Sequence, residues 1–123
     1  MLFRSPPSNP SDPAEARAFA ALLDREGTVA PGKLADDVDT FAASARSPAL
    51  RAEAERWAIE LGARARRPPA PLAARARLWA LAHPENPRVA ETWRLAGDLA
   101  ARANDCVAAE DAWKQAGFDG ECR

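Results

Sequence analysis

At 123 residues the chain is one domain by length, long enough to bury about two-thirds of its unfolded surface without metal or disulfide staples. Ala dominates, Gly is scarce and Val, Ile and Thr are few, a composition that favours helix because Ala loses no side-chain entropy there. The net charge of −1 gives no general pull toward nucleic acid or a membrane surface, and no apolar run approaches the ~20 residues of a membrane span.

The charge is unevenly laid out. Residues 1–45 carry four basic and seven acidic groups, residues 46–77 eight Arg against three Glu, and residues 78–123 five basic and eight acidic groups. A basic middle therefore lies between acidic ends. Lys33 and Lys114 are the only lysines, an Arg-for-Lys bias of the kind GC-rich bacterial genomes produce.

In chain order, residues 1–11 (MLFRSPPSNPS) lack the apolar core of a secretory leader and read as a disordered tail before a single helical domain over 12–123. Asp12-Pro13-Ala14-Glu15 offers an N-cap, a Pro at the first helical position and a Glu three residues after the cap. Ser47-Pro48 and Asn86-Pro87 repeat the cap-then-Pro signature, Pro31 and Pro71 mark two more starts, and Asp105 caps a sixth helix. Stops stand at Gly27, Pro68-Pro69, His83-Pro84 and Gly117-Phe118, the last shaped like a Schellman ending. Helices are predicted near 13–26, 32–45, 48–66, 71–83, 87–103 and 105–116, with apolar positions at a 3.6-residue period and short turns that make neighbours antiparallel.

Aromatic spacing points to an internal repeat. Phe19 to Trp57 and Phe41 to Trp79 are each 38 residues; Trp57 to Trp93 is 36 and Trp79 to Trp113 is 34. The expected architecture is all-α, three stacked helix pairs with units about 12–46, 47–85 and 86–120.

The last unit resembles a tetratricopeptide repeat (TPR). Trp93, Ala96 and Gly97 stand at the family's first-helix positions, and Ala109, Trp113 and Ala116 at those of its second helix. Asn104 replaces the usual turn Gly, Ala100 and Cys106 replace aromatics, and the closing Pro is absent; the middle unit keeps Trp57, Trp79 and Ala82 but has Leu61 and Arg75 at small-residue positions. The resemblance implies a short TPR-like α-solenoid with a binding or assembly role. It places a partner-binding groove on Arg17, Asp24, Glu55, Glu91, Arg94 and Asp98, sparsely furnished because Ala58, Gly62, Ala65 and Ala101 share the face.

Catalytic chemistry finds little support. His83 is the sole histidine, one turn after Trp79 and at a helix C-terminus, where capping or packing accounts for it. Gly32-Lys33 lacks the rest of a phosphate loop, and Asp36, Asp37 and Asp39 lack the Gly and distal Glu of a calcium loop. No cofactor or metal is expected, and the chain does not read as an enzyme. Cys106 and Cys122 leave two readings, a disulfide made by folding the tail back through Gly117 and Gly120, or a buried Cys106 with a free Cys122. A cytoplasmic chain is favoured, a periplasmic one if the cysteines are bridged and an export signal has been removed.

Arg64, Arg66, Arg67, Arg75 and Arg77 flank the Pro68-Pro69-Ala70-Pro71 turn and form a candidate basic patch for a carboxylate or phosphate partner. No aromatic is interleaved for base stacking, so an acidic protein, or the acidic end of another copy, fits this patch better than nucleic acid. The expected function is a protein–protein interaction module (adaptor, chaperone or assembly subunit). The alternatives are a nucleic-acid-associated helical protein using the Arg cluster and a structural subunit of a larger complex.

Overall fold

The computed structural model describes residues 12–122; the expected tail at 1–11 lies outside them. Six helices follow one another: α1 (Pro13–Leu23), α2 (Pro31–Ser44), α3 (Pro48–Arg64), α4 (Pro69–Ala82), α5 (Val89–Arg102) and α6 (Cys106–Gln115). There is no strand among the described residues. The architecture is all-α, with successive helices packed as antiparallel neighbours.

The starts follow local chemistry. Asp12 accepts from the Ala14 N–H, Ser47 from Leu50 and Asp105 from Ala108, each satisfying one of the orphan donors of a first turn. Three expectations are corrected: Pro69, read as part of a stop, opens α4 two residues before the expected Pro71 because a Pro fits the first helical position, and two cap readings fail. Asn86-Pro87 does not open α5: the Asn86 side chain accepts from the Arg88 N–H and its carbonyl from Val89, closing a turn that delays the helix to Val89. Glu15 does not close a capping box either. Its carboxylate accepts from the backbone N–H groups of Arg46 (2.7 Å) and Ser47 (3.1 Å), fastening α1 to the α2–α3 turn.

Three ends share one geometry. At Arg66, Asn104 and Gly117 φ is 59°, 62° and 77°, and the next residue's N–H reaches five residues back, Arg67 to Gly62, Asp105 to Ala100 and Phe118 to Trp113. These are Schellman closures with a left-handed C′ residue. Gly takes that conformation freely and Asn tolerates it, whereas Arg66 is strained there.

The core forms around α3, which is covered on two sides. Ala54, Trp57, Ala58 and Leu61 meet Leu34, Ala35, Val38 and Ala42 of α2; Ala52 and Ile59 join Leu72, Ala76, Trp79, Trp93, Ala96 and Leu99 of α4 and α5. The close seams are α2 on α3, α4 on α5 and α5 on α6, with α1 lying more loosely on α2 and α3. Alanine explains this closeness, since small side chains let backbones approach while the indoles fill the remaining volume. Phe19 packs on both Phe41 and Trp57, so the first aromatics meet across the first two units. The buried Trp79 indole donates to the Ala52 carbonyl at 2.9 Å, and Trp113 donates to Asp98 at 2.9 Å.

The C-terminal segment folds back. Cys106 and Cys122 are joined by a disulfide. Phe118 sits edge-on against Trp113, and the Arg94 guanidinium lies 3.6 Å over the Phe118 ring.

Candidate functional site

The basic patch does not assemble. Arg64 pairs with Glu26, Arg67 with Asp36 and the Gly32 carbonyl, and Arg75 with Asp39, all reaching back to the acidic N-terminal third. Arg77 turns the other way, to Asp111 at 2.9 Å and over the Trp93 ring. The acidic partner inferred for these guanidinium groups is the chain itself, whose acidic ends fold onto its basic middle. Arg66 keeps its exposed side chain without a partner among the described residues. Two acids record the pairing. The Arg64 hydrogen bond, with a smaller contribution from the Trp57 indole, holds Glu26 below its usual carboxylate range against a modest cost of burial. Hydrogen bonds first from Arg25 and then from Lys33 do the same for Asp37.

The six groove positions sit in different settings. Arg17 is exposed on α1 and Asp24 at its C-cap, and Glu91 is exposed in the first turn of α5. Arg94 covers Phe118, and Asp98 accepts from Trp113, so this neighbouring, half-exposed pair also secures the C-terminal segment. Ala58 and Gly62 are buried, Gly62 against Leu72, and furnish no open face. Glu55 lies in a cavity of about 280 Å³ between α3 and α4, beside Ile59, Leu78, Trp79 and His83. The His83 ring stacks on Trp79 at 4.6 Å. No cluster of three or more His, Cys, Asp or Glu able to hold a metal occurs among the described residues.

A different surface stands out. On α4 the charged residues, Arg75 and Arg77, stand at the edges of the solvent face and leave its middle apolar. The α4 sequence, PAPLAARARLWALA, has Arg75 and Arg77 as its only polar residues, and both are paired along its flanks. Leu72, Ala76, Trp79 and Ala80 face inward, while Ala70, Pro71, Ala74, Leu78, Leu81 and Ala82 are exposed. At 100° per residue these six share one stripe roughly 120° wide. Leu78 is 65% exposed and Leu81 55%, adjacent on the stripe, whereas the other exposed large apolar residues (Leu23, Val107, Phe118) lie on separate elements. Between α4, α5 and α6 an alanine-lined groove of about 310 Å³, holding Ala74, Ala100 and Ala108, borders the stripe on one side; the cavity holding Glu55 borders it on the other. The outward stripe of α4 is thus apolar between two exposed, paired arginines.

The groove positions carried over from the TPR register pass over this face, because that register favours polar positions on first helices. The signal was present in the sequence as a 14-residue segment with only two polar side chains. Comparison with protein families, curated proteins and solved structures finds no match to this chain. Among the described residues no helix is long and apolar enough to cross a membrane.

Proposed function

We propose that this chain is a protein–protein interaction module, an adaptor, chaperone or assembly subunit that docks another polypeptide on the exposed face of α4. The observation that carries this reading is the uncharged stripe bearing Leu78 and Leu81, flanked by two grooves. Burying two leucines that stand in water would contribute roughly 1.5–3 kcal/mol each, less their remaining contact in the free chain. The reading of a TPR-like unit is supported by the way its positions meet: Trp113 packs directly on Gly97, where a Cβ would overlap its ring. A non-enzymatic role is supported by the Cys106–Cys122 disulfide, which removes both thiols as nucleophiles. That disulfide also supports an oxidising compartment.

The Arg-cluster reading loses support, since four of its five guanidinium groups have carboxylate partners within the chain. The test is an affinity pull-down from native lysate at low and high salt, with nuclease, comparing the natural chain with Leu78→Glu/Leu81→Glu. A protein held stoichiometrically by the natural chain at both salts and lost from the variant supports the module. Capture unchanged by the two substitutions, or nucleic acid alone released by salt, contradicts it.

A further inference from the structure

Resting on that reading, we infer that the occupant of the α4 face is a second copy of this chain, packed α4 against α4 in antiparallel. The stripe is self-complementary along the helix. Ala70 and Ala82, Pro71 and Leu81, and Ala74 and Leu78 are pairs equidistant in sequence from Ala76. A two-fold axis at the level of Ala76 therefore maps the exposed set onto itself. It brings Leu78 to the level of Ala74 of the second copy and Leu81 to the level of its Pro71, and it sets the two Leu78 side chains on one side of the axis, about 6 Å of helix rise apart. The flanking Arg75 and Arg77 are already neutralised by Asp39 and Asp111, so two copies approach without unpaired like charge along the seam.

The ends of the helix set the direction. Arg66 lies three residues before Pro69 and Glu85 three residues after Ala82, both exposed and neither partnered among the described residues. Antiparallel packing brings Arg66 of each copy to the Glu85 end of the other, twice per dimer; parallel packing would set Arg66 beside Arg66. Arg66 also occupies a left-handed position at φ 59°, where a glycine would be relaxed, so the chain holds an unpaired cation there against backbone strain. One 14-residue helix makes a seam about 21 Å long, less than a standard interface, so the dimer is weak and reversible, with a dissociation constant on the order of 1–100 μM.

Sedimentation of the purified chain over about 1–500 μM tests this, a range that brackets the expected constant. The mass rises toward that of a dimer with concentration. Leu78→Glu raises the dissociation constant at least tenfold with an unchanged thermal melt of the dilute monomer. Arg66→Glu and Glu85→Arg each weaken association severalfold, and the double swap Arg66→Glu/Glu85→Arg restores it to within about twofold of the natural chain, which a merely sticky surface would not do. A chain monomeric throughout, a dimer indifferent to Leu78→Glu, or a double swap no better than its singles overturns the inference. A monomeric chain that still loses a captured protein on Leu78→Glu/Leu81→Glu overturns the second copy alone and leaves the module intact; loss of both overturns both.

Discussion

Gly97→Ala sets two effects of opposite sign against each other at one carbon. In a helix interior Ala is better than Gly by about 1 kcal/mol, so propensity alone predicts stabilisation. The structure predicts the reverse. A Cβ on Gly97 would stand inside contact distance of the Trp113 five-membered ring, and other neighbours crowd the indole. Phe118 lies edge-on against it, and Gly120 approaches its six-membered ring so closely that a Cβ there would also overlap. Trp113 must therefore tilt, which costs about 1–3 kcal/mol as overpacking. Tilting also stretches the Trp113–Asp98 hydrogen bond, worth about 1 kcal/mol because Asp98 is partly solvated. The net is a destabilisation of about 1–3 kcal/mol, or roughly 4–12 °C in melting temperature for a chain this size. Thermal unfolding by circular dichroism reads it, and a cycle with Trp113→Phe assigns it, since the cost shrinks once the indole is gone. A melting temperature raised by Gly97→Ala would refute the seating of Trp113 on α5.

Replacing Cys106 and Cys122 together with Ser lowers stability by about 3 kcal/mol in the chain-entropy account for a loop of this length, read as a drop in urea midpoint; no change would show that the loop is held without its bond. Arg56 is 3% exposed, pairs with Glu60 at 2.6 Å, and its Nε makes no hydrogen bond but faces the Glu53 carboxylate at 3.8 Å. Glu60→Ala leaves that buried cation short of its partner and costs about 1–3 kcal/mol, below the fully buried case because Glu60 is partly exposed, whereas Arg56→Leu costs less; the reverse order in chemical denaturation would contradict this. The native values of Glu26 and Asp37 lie below 4.5 and 3.8, so the stability they contribute is complete above those values and is lost as pH falls through the depressed native ones. The difference in urea midpoint between the natural chain and Glu26→Gln should be constant from neutral pH to about pH 5 and vanish in stronger acid; a difference that grows on acidification would contradict the sign.

Helix number, order and three of the starts were legible because caps act locally: Asp12, Ser47 and Asp105 bond where their positions predict. Asn86 misled because the same side chain that can cap a helix can close a turn, and the choice belongs to the chain beyond it. Glu15 misled for a similar reason, since a carboxylate one turn into a helix can find donors 31 residues away. The Arg cluster was legible as a cluster but not as a site. Adjacency in sequence does not say that helices place Arg75 toward α2 and Arg77 toward α6. The groove positions rested on register alone, and register does not report that Asp98 is taken by Trp113. Leu78 and Leu81 escaped notice because an apolar helix reads as core until its neighbours are placed.

The most direct test of the α4 surface puts a photo-crosslinking amino acid at position 78, with position 107 as control. Val107 is more exposed, at 85%, but stands alone on α6, so it reports surface stickiness without a built face. Irradiation in native lysate should give a discrete adduct from position 78, identifiable by mass spectrometry as this chain or another polypeptide, and none from position 107. Equal adduct patterns at both positions, or no adduct at position 78, would contradict the account.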